Sequence, residues 1–438
     1  MKAIIYTLGC KVNAYESEVI ADLLRENGYQ VTDEENADVC VVNTCTVTNN
    51  ADKKSKKTIN HAINRNPNSI VIVVGCFSQV KYEELSNNKR INIILGTSNK
   101  TKVIECINKY KETKMQIVDV NTSRNQVFEK MKIDHFDNKH RAFVKIQDGC
   151  NNFCTYCIIP FTRGTIRCKS FDVVINEITS LVKNGFKEVV LTGIHTGSYM
   201  DSNHDFSDLL TEIVKINGLK RLRISSIEIT ELNDKFMDIL KKSNVIVDHI
   251  HIPLQSGSDK ILKLMKRKYD TSTYENIIKK IRTIRPNISI TTDVIVGFPG
   301  EDEKDFMDMY KFIDHINFSS LHVFPYSKRD HTKAALMDNQ VNENVKADRV
   351  KKLLILKERK ELEYMSKFVG EKLDVLFETS NMDEYIGHTS NYLKVKVNSK
   401  KNITGKIENV VIDKIEYPIC VGRLVSEVKD EEKEKIYQ

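Results

Sequence analysis

Apolar residues recur along this chain in two alternating rhythms. Residues 2–8, 38–42, 69–74 and 91–95 are short runs rich in Val and Ile, the texture of buried strands. Between them lie stretches with a helical period. Over 17–27, Val19, Ile20, Leu23 and Leu24 share one face and Gly28 follows as a stop; 51–64 reads as a polar, basic helix. Strand and helix alternating in this way predict a parallel, flavodoxin-like α/β domain over residues 1–120.

The rhythm restarts at Arg141. Strands are expected at 142–147, 188–191, 222–225, 249–254, 288–296 and 321–326, with helices between them. The clearest helix, 172–184, puts Val174, Ile178, Leu181 and Val182 on one face before Gly185. Others are expected at 272–284 and 302–316. Six βα units predict a partial (βα)6 TIM-like barrel within residues 136–366, its site at the carboxyl ends of the strands. A long helix over 345–368 closes this region. Val350, Leu353, Leu354 and Leu362 are expected to pack on the barrel, and its many lysines and arginines to face solvent or a phosphate backbone. From Gly370 the texture changes to short strands at 373–377, 392–397, 407–412 and 420–425. They predict a small OB-like β-barrel over 367–430. Residues 430–438 read as a charged, frayed tail.

Composition narrows the class. Hydrophobic residues are 40% and charged residues 29%, as in ordinary globular proteins. The net charge of +7, from 67 basic and 60 acidic residues, fits an RNA partner without pointing to one. No apolar run approaches the roughly 20 residues of a membrane span, and the start lacks a signal-peptide core. The expected setting is cytoplasmic, without a membrane partner. In that reducing compartment ten cysteines serve metals or catalysis rather than a disulfide framework.

Cys150, Cys154 and Cys157 stand in a C-x3-C-x2-C spacing just after the first strand of the second series. Thiolates suit iron–sulfur clusters, zinc or Cu(I). A structural zinc site wants four closed ligands, and no fourth Cys or His lies nearby in sequence. A four-iron cluster on three cysteines keeps one iron open for a small molecule. Cys10, Cys45 and Cys76 each lie just past a strand's carboxyl end. In open α/β sheets that is where ligands bind, so the three are expected to converge, unless they are plain core cysteines. Cys40 reads as core, and Cys106, Cys168 and Cys420 receive no role. The strand ends of the second series carry glycines and polar residues, among them Gly193, Ser226, Glu228, Gln255 and Gly297, suited to an amino group, a ribose and a carboxylate. His195, His249 and His251 read singly as packing or hydrogen-bonding residues.

The three-cysteine spacing after a first βα strand resembles the radical S-adenosylmethionine (SAM) superfamily. Nearly the whole chain resembles the methylthiotransferases: a cluster-binding domain, a radical SAM barrel and a TRAM domain. The MtaB-type branch is the most similar, through Thr7-Leu8-Gly9-Cys10-Lys11-Val12-Asn13, Asn43-Thr44-Cys45-Thr46-Val47-Thr48, Gln147-Asp148-Gly149-Cys150, Leu191-Thr192-Gly193-Ile194-His195-Thr196-Gly197-Ser198-Tyr199 and Leu321-His322-Val323-Phe324-Pro325-Tyr326-Ser327. This resemblance implies two [4Fe-4S] clusters, one on Cys150, Cys154 and Cys157 and one on Cys10, Cys45 and Cys76. It implies SAM as methyl donor and radical source, bound near Tyr156, Gly193, Ser226, Glu228, Gln255 and Val296. It implies a tRNA substrate carrying N6-threonylcarbamoyladenosine beside the anticodon, methylthiolated at C2. Lys394 and Lys396 would grip the RNA, and an electron donor such as flavodoxin or ferredoxin would serve the reaction; the sulfur donor is unassigned. Related enzymes act on isopentenyladenosine in tRNA or on an aspartate of a ribosomal protein, but their first-cysteine motifs differ. An iron–sulfur RNA-binding sensor and a zinc RNA-binding protein are the non-enzyme alternatives. The chain departs from the family pattern at Val74 (Arg expected), Ile229 (Pro expected) and His331 (Gly expected).

Overall fold

The computed structural model describes residues 1–133 and 140–425. The expected boundaries at 136 and 430 and the 430–438 tail lie outside the described residues. The first domain is one parallel sheet of β1 (Lys2–Thr7), β2 (Gln30–Val31), β3 (Val39–Thr44), β4 (Ile70–Gly75), β5 (Ile93–Leu95) and β6 (Ile117–Asp119). Their order is β2-β1-β3-β4-β5-β6. β3 is buried along its whole length because helices cover both faces of the sheet, which is why its sequence is continuously apolar rather than alternating. The sheet order turns back on itself between β1 and β3, and a crevice opens there at the strand ends.

Helix α1 spans Lys11–Glu26, so it starts six residues before the expected 17. Val12 and Tyr15 extend the stripe of Val19 back by further turns, and both are buried. Cys10 becomes the N-cap residue.

The second domain is the expected open barrel. Its strands are Arg141–Lys145, Glu188–Thr192, Arg221–Ile224, His249–His251, Ser289–Val296 and Ser320–Pro325. Strands one to three and four to six form two parallel ladders, joined by a bridge between Leu222 and Ile246. The long helix, Glu343–Ser366, packs on the sixth strand. Leu353 and Leu356 are buried there, but Leu354 is exposed, against expectation; Tyr364 and Met365 take the lower contacts instead. Lys351, Lys352 and Arg359 are exposed as expected, but other basic residues are not. Arg349 is buried on Glu301 at 2.7 Å and Lys360 on Asp314 at 2.6 Å. Their aliphatic stems lie against the barrel and the heads reach acids on its neighbours.

The last domain is a closed five-stranded barrel of Lys372–Asn381, Glu384–Thr389, Lys394–Asn398, Ile407–Glu416 and Ile419–Leu424. Closure removes exposed sheet edges. It docks on the lower ends of the central strands through Arg221–Asp374 at 2.8 Å and Arg141–Glu378 at 2.6 Å. The first domain is held to the central barrel by a buried charge network. Glu16 of α1 takes Lys145 at 2.7 Å, Arg163 at 2.9 Å and Lys100 at 3.1 Å, and Asp148 takes Lys145, Arg163 and Arg167. Removing one member of such a set leaves an uncompensated buried charge, at a cost of about 3–5 kcal/mol. Among the described residues, no helix is long and apolar enough to cross a membrane.

Candidate active site

The loop after the first barrel strand begins at Gly149, whose φ of +72° suits glycine. A Cβ there would lie 2.0 Å from the Thr165 carbonyl oxygen. The turn delivers Cys150, Cys154 and Cys157 to one place. The Asn152 N–H donates to Cys150 Sγ at 3.5 Å and Arg267 Nη1 to Cys154 Sγ at 3.3 Å. Burial pushes the Cys157 thiol up to about 12, with Cys154 and Cys150 adding to it, and burial pushes Cys154 up as well. His195 presents Nδ1 to Cys150 at 4.0 Å while Glu231 holds its Nε2 at 2.5 Å. Burial opposes the imidazolium, but Cys150 and Glu231 outweigh it and push His195 up to about 10. An imidazole held in this way can donate to the Cys150 sulfur. Three sulfurs with cationic donors around them fit a cluster that keeps one iron free of protein ligands.

The second trio also converges. Cys10 caps α1, Cys45 follows β3, and Cys76 opens α2 (Cys76–Ser86). Gly9, at φ +99°, lets the two loops touch: a Cβ there would sit 2.9 Å from Cys45 Cβ. Asn13 ties the same loops through Nδ2, donating to Leu8 O at 2.7 Å and Thr44 O at 2.9 Å. Burial pushes Cys45 up to about 12, with Cys76 adding to it. Arg163 Nε donates to Cys76 Sγ at 3.2 Å from full burial. Burial also pushes the Cys76 thiol up, with Arg163 opposing it. This donor set fits a second cluster as well as the first fits its own.

A cavity of about 760 Å³ lies where the three domains meet. Cys10 and Lys11 line it from the first domain, Gly193, Ser226, His251, Asp293 and His322 from the barrel, and Tyr392, Lys394 and Tyr417 from the last domain. Of the expected SAM contacts, then, Gly193 and Ser226 reach this cavity. Glu228 lies instead beside Cys154 in a narrow cleft, its carboxylate bound by Arg267 Nη2. Tyr156 is edge-on to Phe298 at 6.5 Å, Val296 is buried, and Gln255, at φ +67°, donates its N–H to Asp293 O at 2.8 Å. Lys394 faces the cavity, whereas Lys396 is held by Glu384 at 3.4 Å and Glu416 at 3.6 Å.

Several site residues escaped the sequence reading. Arg163 and Arg267 join the cysteines to buried carboxylates, and nothing in a local pattern marks them. Asp293 Oδ1 accepts from His251 Nε2 at 3.2 Å and His322 Nδ1 at 3.1 Å, a trio with the donor set of a metal site. Burial opposes the Asp293 carboxylate, but the two histidines hold it well below the usual range. The sheet register pairs Asp293 with His322 directly, so register was the missing signal. Tyr392 carries Arg223 over its ring at 4.6 Å and His249 at 4.8 Å. Burial resists ionisation of its hydroxyl, yet Arg141, Lys11 and Arg223 pull it below its ordinary value. At His331 the backbone is left-handed, φ +67°, which accounts for glycine being the expected residue there. Ile229 is fully buried in a turn and Val74 is buried in β4.

Residues 144–313 match the Radical SAM superfamily and residues 2–96 match the Uncharacterized protein family UPF0004. The chain is 44% identical over 436 residues to a protein of Bacillus subtilis (strain 168) named Threonylcarbamoyladenosine tRNA methylthiotransferase MtaB, covering 97% of each. It is 37% identical to the protein of that name from Aquifex aeolicus, covering 94% of this chain and all of the relative. It is 35% identical to a tRNA-2-methylthio-N(6)-dimethylallyladenosine synthase of Acetivibrio thermocellus, covering 96% and 90%. Among solved structures, the radical SAM methyltransferase TsrM of Kitasatospora setae, with cobalamin and a [4Fe-4S] cluster bound, superposes with a TM-score of 0.57 at 14% identity, covering 76% of each chain. That likeness shows a shared fold.

Proposed function

The chain belongs to the radical SAM tRNA methylthiotransferases, and on that premise we propose that it places a methylthio group on C2 of N6-threonylcarbamoyladenosine beside the anticodon of tRNA. The single observation that carries this reading is the meeting of three domains on one cavity. The second cysteine trio reaches it through Cys10, the radical SAM strand ends through Gly193 and Ser226, and the terminal barrel through Lys394. An adenine C2–H is not acidic and has no leaving group, so neither a base nor a simple nucleophile can functionalise it, and a cofactor must carry the chemistry. Cys150, Cys154 and Cys157 would hold a [4Fe-4S] cluster able to supply the electron for reductive cleavage of SAM, and Cys10, Cys45 and Cys76 would hold a second one as the place for the sulfur to be inserted.

The protein's own groups hold and shield. Asn152 and Arg267 donate to the sulfurs of the first loop, and Arg163 donates to Cys76 in the second. Gly193 leaves room at the strand end, its absent Cβ being 3.0 Å from Gln147 Oε1, while Ser226 offers a hydroxyl to SAM. Tyr156, Glu228, Gln255 and Val296 are the further residues assigned to SAM. Tyr392, Tyr417 and Phe324 give the cavity aromatic walls for a target base drawn out of its stack. Lys394 and Lys396 meet RNA phosphates, and a small electron-transfer protein such as flavodoxin or ferredoxin delivers the electron.

With SAM, reductant and substrate tRNA supplied, Cys154→Ala loses both 5′-deoxyadenosine and methylthiolated product. Cys45→Ala keeps a measurable part of the 5′-deoxyadenosine and loses the product. Full product from Cys45→Ala would overturn the role given to the second trio.

A further inference from the structure

We propose that Lys11 is the residue that recognises the substrate's N6 substituent, by binding its carboxylate; this rests on the function proposed above. Lys11 is the first residue of α1 and lines the cavity next to Cys10. An ammonium there opposes the positive end of the helix dipole. Its charged surroundings are Arg223, Arg141 and Glu188, with the Tyr392 hydroxyl. Each arginine at this junction already has a carboxylate. Arg223 has Glu188 at 2.8 Å, Arg141 has Glu378 at 2.6 Å, and Arg221 has Asp374 at 2.8 Å. Of these four cations Lys11 is the one without an ion pair among the described residues; Lys394, on the terminal barrel, also lines the cavity unpaired. A recessed ammonium beside other cations is costly unless an anion arrives to meet it.

The substrate's chemistry supplies that anion. The threonylcarbamoyl group ends in a carboxylate, and it hangs from C6, one ring atom away from the C2 that receives sulfur. If sulfur comes from a site held by Cys10, C2 must approach Cys10, and the substituent then falls within reach of the neighbouring Lys11 side chain. The same ammonium penalises a neutral isopentenyl group, which would bury it unpaired, so one residue both selects and rejects. An anion here has a second possible source, a backbone phosphate next to the target nucleotide, and the test separates the two.

The test uses the protein with both clusters loaded and three synthetic anticodon stem-loops. They carry threonylcarbamoyladenosine, its neutral threonine-amide counterpart, or plain adenosine. Wild type binds the first at least about tenfold more tightly than the others, as a recessed charge pair warrants. Lys11→Gln, with iron content and Tm unchanged, binds all three within about threefold of one another, while Lys11→Arg keeps most of the preference. Lys394→Gln weakens all three by a similar factor, as a phosphate contact does. The inference is overturned if Lys11→Gln weakens all three stem-loops equally, which assigns the ammonium to a phosphate, or if the preference survives in it. If wild type methylthiolates the first stem-loop and Lys11→Gln keeps the preference, Lys11 alone is misassigned. If wild type yields no methylthio product, the proposed function falls, and the Lys11 assignment with it.

Discussion

His249 stands on the fourth barrel strand with Nε2 3.0 Å from Thr291 Oγ1 and its ring against Tyr392. Its Nδ1 is buried without a hydrogen-bond partner among the described residues. Burial, then Arg223, then His251 hold its pKa well below the ordinary 6.5. A depressed histidine contributes stability above the unfolded-state value and loses it as pH falls, because the unfolded chain takes the proton first. Wild type is therefore expected to lose up to about 1.4 kcal/mol per pH unit below 6.5 relative to His249→Gln. Urea unfolding at pH 7.5 and 5.5 checks it; parallel losses in the two proteins would contradict it. At this scale the cysteines were legible because their spacing and strand-end positions are written along the chain. Arg163 and Arg267 were not, because a charged residue shows its partner only once distant segments meet.

Two turns fix the cysteine loops. Gly149 and Gly75 hold left-handed conformations, and a Cβ at either would strike backbone, 2.0 Å from Thr165 O and 2.5 Å from Thr44 O. Gly185 has a φ of +99° but open space around it. Gly149→Ala is expected to lower the iron bound per chain by displacing Cys150, whereas Gly185→Ala costs about 1–2 kcal/mol of backbone strain and keeps the iron. Iron analysis with the visible charge-transfer spectrum checks this; an undiminished iron content in Gly149→Ala would remove the turn from the account. Strands and most helices were legible as elements, since periodicity and burial agree. The start of α1 was missed because the glycine and cysteine before it read as a loop, although Val12 and Tyr15 already carry the helical stripe. Arg349 and Lys360 of the Glu343–Ser366 helix looked solvated because their acidic partners, Glu301 and Asp314, lie outside it.

At the scale of the whole molecule, the α/β first domain, the open six-stranded barrel and the closed terminal barrel follow as classes from alternation and turn residues, although the terminal-barrel strand Glu384–Thr389 was not among those expected. Their arrangement does not. Glu16, Lys145, Asp148 and Arg163 join the first two domains, and Arg141 and Arg221 join the last two. None of these contacts is local. The cavity exists only because of them, so the convergence of Cys10, Gly193, Ser226 and Lys394 could be anticipated from resemblance but not from pattern. The central claim is that this convergence serves methylthiolation of a tRNA adenosine. The most direct measurement is nucleoside mass spectrometry of tRNA from cells with and without this gene. The account predicts that 2-methylthio-N6-threonylcarbamoyladenosine disappears and N6-threonylcarbamoyladenosine accumulates when the gene is absent. Unchanged levels of every methylthiolated tRNA nucleoside would contradict it.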